Sequence, residues 1–263
     1  MAEIAGQRLR LRVDLDQRDV VELNPDAAAR LPLAFGGGFT AQVGRVALPG
    51  RQARARLTLA GRTADVIVSE HGRPCCGDGD GALSPTLLPW RSIRFVRRDA
   101  PAMPSERSVT LDETEGEGLS FAAAPDLPIR IQLSLTQPRT VATAAGGARL
   151  AARFGGRLAG QVFALPGPFG TSRSARRLEL ARPALVAGFG IASLPVRIAD
   201  YRGSTALPAE PARAGDIAVR RRVPRQREWP LVTLGRDRLS ACAEIRLDLV
   251  TRALTLRCAF AGR

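Results

Sequence analysis

Residues 29–37 read ARLPLAFGG, and residues 148–156 read ARLAARFGG. Ala29, Arg30, Leu31, Phe35, Gly36 and Gly37 thus recur 119 positions later as Ala148, Arg149, Leu150, Phe154, Gly155 and Gly156. On the C-terminal side GRVALPG at 44–50 returns as GQVFALPG at 160–167, and Leu57 and Leu59 return as Leu178 and Leu180. Nearer the ends of the halves, Ala82-Leu83-Ser84 through Leu88 and then Ile93-Arg94-Phe95 answer Thr233-Leu234-Gly235 through Leu239 and then Ile245-Arg246-Leu247. Each half closes on a similar stretch, Val109-Thr110-Leu111 and Leu254-Thr255-Leu256. The separation grows from 121 at Leu57 to 151 at Leu83, so the second half holds 30 extra residues. A register kept this long marks one duplicated unit with an insertion.

Within a unit the patterning is that of strands. Leu9, Leu11 and Val13 alternate with Arg10 and Arg12, and Ile129, Ile131 and Leu133 alternate with polar residues, the period of a half-buried strand. Short helices punctuate them. Asn24 before Pro25 is placed to cap a helix with Asp26 near its positive end, and Ser84-Pro85 repeats the device. The expected architecture is mostly β, two-lobed, with short helices in each lobe. The first lobe covers 1–113, an acidic Gly/Pro-containing linker covers 114–127, and the second lobe covers 128–263 with an arginine-rich insertion at about 196–229.

Composition narrows the classes. A chain of 263 residues with 45% hydrophobic and 24% charged residues can bury a substantial core and is not a disordered or fibrous sequence. All 39 basic residues are arginine, and the net charge is +14. Because most are scattered and alanine and glycine are also abundant, a GC-rich coding bias accounts for the charge as well as anion binding does. No apolar run approaches the ~20 residues of a membrane span, which predicts no membrane partner. The opening MAEIAGQRLRLRVDLD is charged where a secretory signal is apolar, which predicts a cytoplasmic protein, and four cysteines then predict no disulfide framework.

The stretch VDLDQRDVVELNPDAAARLPL, residues 13–33, resembles the opening of retropepsin-like and pepsin-like aspartic proteases, where a strand runs into Asp-Thr/Ser-Gly-Ala and then a helix. Their second signature, Asp-Gly-Ile-Leu-Gly with a helix and strand after it, is similar to Asp80-Gly81-Ala82-Leu83-Ser84 followed by TLLPWRSIRF, and to LVTLGRDRLSACAEIRLDLVTRALTL at 231–256. The resemblance spans nearly the whole chain. It implies an acid-protease-like fold with a peptide-sized cleft between lobes. It also implies a dyad, one aspartate from each lobe, sharing a proton so that the pair activates water and polarises the scissile carbonyl. Asp14 occupies the first position. The second is Ser134, whose hydroxyl binds water but carries no charge at ordinary pH. Leu15 and Asp16, and Leu135 and Thr136, stand where the family places the residues that lock the two turns and let backbone approach closely.

Other partners for Asp14 are weak. Asp16 lies two residues along one strand end, where side chains face opposite ways. Asp126 lies outside the matching turn, and a second copy would bring in another Asp14 only by breaking the chain's own pairing. His71, Cys75 and Cys76, with Asp78 or Asp80, fall short of a metal site, because adjacent cysteines point apart on an extended chain. Cys242 and Cys258 read as small core residues. Arg220, Arg221, Arg222, Arg225 and Arg227 are the one local concentration of charge, able to grip phosphates or an acidic protein, with Trp229 the nearest aromatic. The Phe35-Gly36-Gly37-Gly38 stretch precedes strands and reads as a turn.

Three functions remain open. The first is a protein with a degenerate dyad that binds an extended peptide or protein segment, Asp16, Ser134 and Thr136 lining the cleft. The second is an aspartic-type endopeptidase using Asp14 with another partner. The third is anion or nucleic-acid binding through the arginine loop. No cofactor and no metal are expected.

Overall fold

The computed structural model describes residues 1–44, 46–99, 104–112, 118–200, 207 and 228–260. It is mostly β, with a nearly closed, barrel-like sheet. In the first half the strands are β1 (Ala2–Ile4), β2 (Gln7–Leu9), β3 (Leu11–Val13) and β4 (Val21–Leu23), followed by helix α1 (Pro25–Ala29). Next come β5 (Gly36–Val43), β6 (Val46–Leu59), β7 (Arg62–Glu70), β8 (Gly81–Leu83), β9 (Ser92–Val96) and β10 (Ser105–Thr110). The second half holds β11 (Ser120–Ala124), β12 (Leu127–Leu133), β13 (Val141–Ala142), α2 (Ala144–Phe154), β14 (Gly156–Pro166), β15 (Ser172–Val186) and β16 (Phe189–Arg197). It closes with β17 (Leu231–Leu234), α3 (Arg236–Leu239), β18 (Cys242–Asp248) and β19 (Ala253–Cys258).

The first sheet runs β2-β1-β6-β7-β4-β8-β3, with β5 hydrogen-bonded to β6. Within it β3 pairs parallel with β8, β8 antiparallel with β4, and β4 parallel with β7. Another sheet runs β11-β12-β17-β13-β16-β15-β14, where β12 pairs parallel with β17, β17 antiparallel with β13, and β13 parallel with β16. The remaining sheet, β10-β19-β18-β9, interleaves the halves. In it Ile93, Arg94 and Phe95 pair antiparallel with Leu247, Arg246 and Ile245.

Burial follows the alternation read from sequence. Ile129, Ile131 and Leu133 are buried while Arg130 and Gln132 are half-buried. One core gathers Ile4, Leu9, Val21, Leu23, Leu57, Val68 and Leu83. A larger one gathers Ile131, Leu133, Leu150, Ile191, Val232, Ile245 and Leu256, and Ile93 packs against both.

Several local expectations are corrected. The alternating run at Leu9 to Val13 is broken at Arg10 into β2 and β3. Asn24 precedes α1, but its side chain makes no cap bond there. Its Oδ1 instead accepts from the N–H groups of Cys75 (2.8 Å) and Cys76 (3.1 Å), and its Nδ2 donates to the carbonyls of Cys76 and Gly79. Ser84 does cap, accepting from the N–H of Thr86. The linker assigned to 114–127 holds β11 at Ser120–Ala124, paired with β12. GRVALPG and GQVFALPG are not placed alike: Gly44 ends one hairpin arm with Val46–Gly50 in the returning strand, whereas 160–166 lies in the outgoing strand β14. Finally, Cys242 and Cys258 are buried as expected but joined as a disulfide, because the β18–β19 register sets them opposite each other; Cys75 and Cys76 are joined as well. No helix among the described residues is long and apolar enough to cross a membrane.

Candidate functional site

Two backbone bonds set the site. After β3 the N–H of Asp14 donates to the carbonyl of Leu83 (2.9 Å), and after β12 the N–H of Ser134 donates to that of Leu234 (3.0 Å). The chain then turns, the N–H of Gln17 reaching back to the carbonyl of Asp14. Extended alternation stops at this turn, so Asp16 does not face away from Asp14 as its spacing predicts. Its carboxyl lies beside the carboxyl of Asp14 and the side chain of Ser134. The structure thereby brings Asp14, Asp16, Ser134 and Thr136 to one place.

Burial first, then the neighbouring carboxyl of Asp14, push Asp16 well above the ordinary carboxylate range, while the Ser134 hydroxyl pulls the other way. Asp16 therefore binds a proton more readily than a free aspartate does. Asp14 is 5% exposed, and its Oδ2 lies 3.2 Å from Arg12 Nη2, so a fixed positive charge stands beside it. Ser134 is fully buried, with its Oγ accepting from the N–H of Gln137 (3.0 Å) and lying 3.1 Å from Thr136 Oγ1. Gly118, at φ 75°, packs on this turn; a Cβ there would lie 3.1 Å from the carbonyl oxygen of Asp16. Only glycine lets that approach happen without strain.

Leu15, between the two aspartates, is 2% exposed and buried in the second half's core with Phe121, Ile131 and Leu133. Full burial of a leucine contributes roughly 1.5–3 kcal/mol. It joins the two turns by apolar burial, where a threonine or serine would do so by hydrogen bonding.

The sequence reading passed over a second polar cluster. Glu22, 2% exposed, accepts from Ser69 Oγ (2.5 Å) and lies 2.8 Å from His71 Nδ1. The His71 ring packs against Phe39 of β5 and, from the other half, Phe169 (centroids 4.9 and 4.5 Å apart). A charged residue inside the apolar run Val20-Val21-Glu22-Leu23 was the available signal, since an interior carboxylate needs partners. His71 is thus a network residue, and no group of His, Cys, Asp and Glu able to hold a metal occurs among the described residues. Asp80 is held by the N–H of Arg10 (2.7 Å) and by Arg30 (2.5 Å). The arginines 220, 221, 222, 225 and 227 lie outside the described residues. Arg12, beside Asp14, was likewise not singled out, because its role depends on where the turn points its side chain. Neither protein-family models nor curated proteins give a match to this chain.

Proposed function

We propose that the chain is a duplicated, two-lobed protein of aspartic-protease-like fold that binds an extended peptide or protein segment between its lobes without cleaving it. One observation carries the reading. The repeat-related segments Ile93-Arg94-Phe95 and Ile245-Arg246-Leu247 pair antiparallel, with Arg94 opposite Arg246, as a twofold relation between two copies requires. The same relation makes Asp14 and Ser134 counterparts, each tied to the end of a parallel neighbour. In an active dyad both counterparts are carboxyls with a water between them. Here Ser134 is neutral and Asp16 reaches it, occupying with a side chain the place that a glycine leaves open. An extended segment entering such a cleft can pair its backbone with strand edges.

A second reading rests on the Asp14–Asp16 contact. Two carboxyls sharing one proton are an acid–base pair whichever half supplies them, and that pair would serve an acid peptidase. Exposure of wild type, Asp14→Ala and Asp16→Gly to a mixed peptide library from about pH 3 to pH 7, the range over which such a pair titrates, separates the two. The binding reading predicts intact peptides with all three proteins and peptides retained by wild type. Cleavage by wild type that vanishes in Asp14→Ala establishes the peptidase instead.

A further inference from the structure

Two depressions of the surface occupy related places in the two halves. One, of about 680 Å³, is lined by Asp19, Arg54, Arg56, Asp65, Ile67 and Leu87. The other, of about 420 Å³, is lined by Arg139, Phe163, Arg177, Ser193, Leu194 and Pro195. Asp19 and Arg139 are 120 positions apart, and Arg56 and Arg177 are 121 apart, the repeat spacing. Their charges differ. In the first half two arginines and two aspartates line the depression, and Arg56 lies 3.7 Å from Asp65. In the second half the aspartate's counterpart is itself an arginine, no acid lines the wall, and neither Arg139 nor Arg177 is paired among the described residues.

The second depression is also held in shape. The loop carrying Arg139 is pinned on both sides: the N–H groups of Arg236 and Asp237 donate to the carbonyls of Gln137 and Pro138, and Asp237 Oδ1 accepts from the N–H of Thr140 (2.7 Å). Gly235 closes against it, and a Cβ there would lie 2.5 Å from the Arg139 carbonyl carbon. Arg177 stands on β15 opposite Pro195 of β16. Phe163, Leu194 and Pro195 line it with apolar surface, and Ser193 lines it as well. Two arginines lining one depression with apolar side chains suit a carboxylate carried on methylenes, and charge-assisted bonds to guanidinium are among the stronger hydrogen bonds.

We propose that this depression is a carboxylate-recognition pocket that selects an acidic side chain, glutamate above all, on the segment bound between the lobes. It rests on the binding reading above. The first-half depression, which two aspartates line beside its arginines, is the internal control.

The test uses N-acetylglutamate N-methylamide and its glutamine analogue, titrated into the whole protein with arginine side chains labelled for NMR. The expected result is a Kd for the glutamate probe at least about tenfold below that of the glutamine probe, a difference of about 1.4 kcal/mol. The Nε–Hε signals lost in Arg139→Gln and Arg177→Gln should be the ones that move, and an Arg54→Gln/Arg56→Gln variant should respond like wild type. Equal binding of the two probes, or a preference that survives in Arg139→Gln/Arg177→Gln, overturns the pocket. A second arm compares peptide pools retained by wild type and by that double variant. Enrichment of Glu at one position, lost in the variant, supports the side-chain assignment. Probe binding with retained peptides that show no acidic preference overturns that assignment in favour of free carboxylates. If no peptide is retained at all, the interlobe reading fails while the probe result stands separately.

Discussion

Asp16 shows how one residue changes the chemistry of a turn. Its proton affinity is raised in the folded protein, so between the unfolded value near 4 and the raised one the folded state binds more protons than the unfolded state. Stability attributable to this group therefore falls as pH rises from about 4. Asp16→Asn keeps an amide able to donate to Asp14 and removes the titration. Thermal melts should show the variant close to wild type at pH 4 and above it at pH 7, each kcal/mol relieved being about 2–4 °C in Tm. Identical pH slopes for the two proteins would show that Asp16 is not held protonated by its neighbours. The spacing of Asp14 and Asp16 was legible in the sequence, but the direction of their side chains was not, because alternation holds only in extended chain and the turn begins at Leu15.

At the level of elements the same residue type can serve two ends. Asn24 stands where a helix cap belongs, and a cap is worth ~1 kcal/mol. Its side chain instead makes four hydrogen bonds to the loop at Cys75–Gly79, so Asn24→Ala leaves two N–H groups and two carbonyls without their partner. The expected loss in urea unfolding is about 2–4 kcal/mol. A loss near 1 kcal/mol would identify the residue as a simple cap after all. The second half's longer helix α2 was foreshadowed only by the repeated Ala-Arg-Leu. Its N-terminus is closed by Thr143, whose Oγ1 accepts from the N–H of Gly146, and by Asp200, whose carboxylate accepts from those of Ala144 and Ala145. Asp200 is 56 positions from its partner, beyond the reach of any local pattern.

Across the whole molecule, the sheet β10-β19-β18-β9 ties the halves, each strand of the second half lying beside one of the first. Glu244 sits at that junction, 6% exposed, bonded to Arg94 through both oxygens (3.1 and 2.8 Å) and 3.6 Å from Arg257. The bonds from Arg94, then its charge and those of Arg257 and Arg246, outweigh burial and hold this carboxyl below its usual range. A depressed folded value means that the stabilisation is present above the unfolded pKa and is lost as pH falls through the folded one. Glu244→Gln should therefore unfold at lower urea than wild type at pH 7, with the gap closing below about pH 4. Because the sheet is shared, Trp90 in the first half and Trp229 in the second should report one midpoint, followed separately in Trp229→Phe and Trp90→Phe. Two separated midpoints would mean that the halves unfold independently.

The sequence by itself determined what periodicity and repetition can carry. The β character and the buried faces of strands such as Leu127–Leu133 follow from the spacing of apolar and turn residues, which local backbone geometry constrains. Tertiary structure alone decided the rest. The Cys242–Cys258 disulfide needed the β18–β19 register, Leu15 needed the other half's core to enter, and Glu22 needed Ser69 and His71 brought from the end of β7. GRVALPG misled for the same reason, since a hairpin's turn is placed by pairing along both arms and not by the letters at its tip. The raised proton affinity of Asp16 depends on its burial beside Asp14, and the unpaired arginines at Arg139 and Arg177 on which side chains meet across tens of residues, and only the folded chain arranges both.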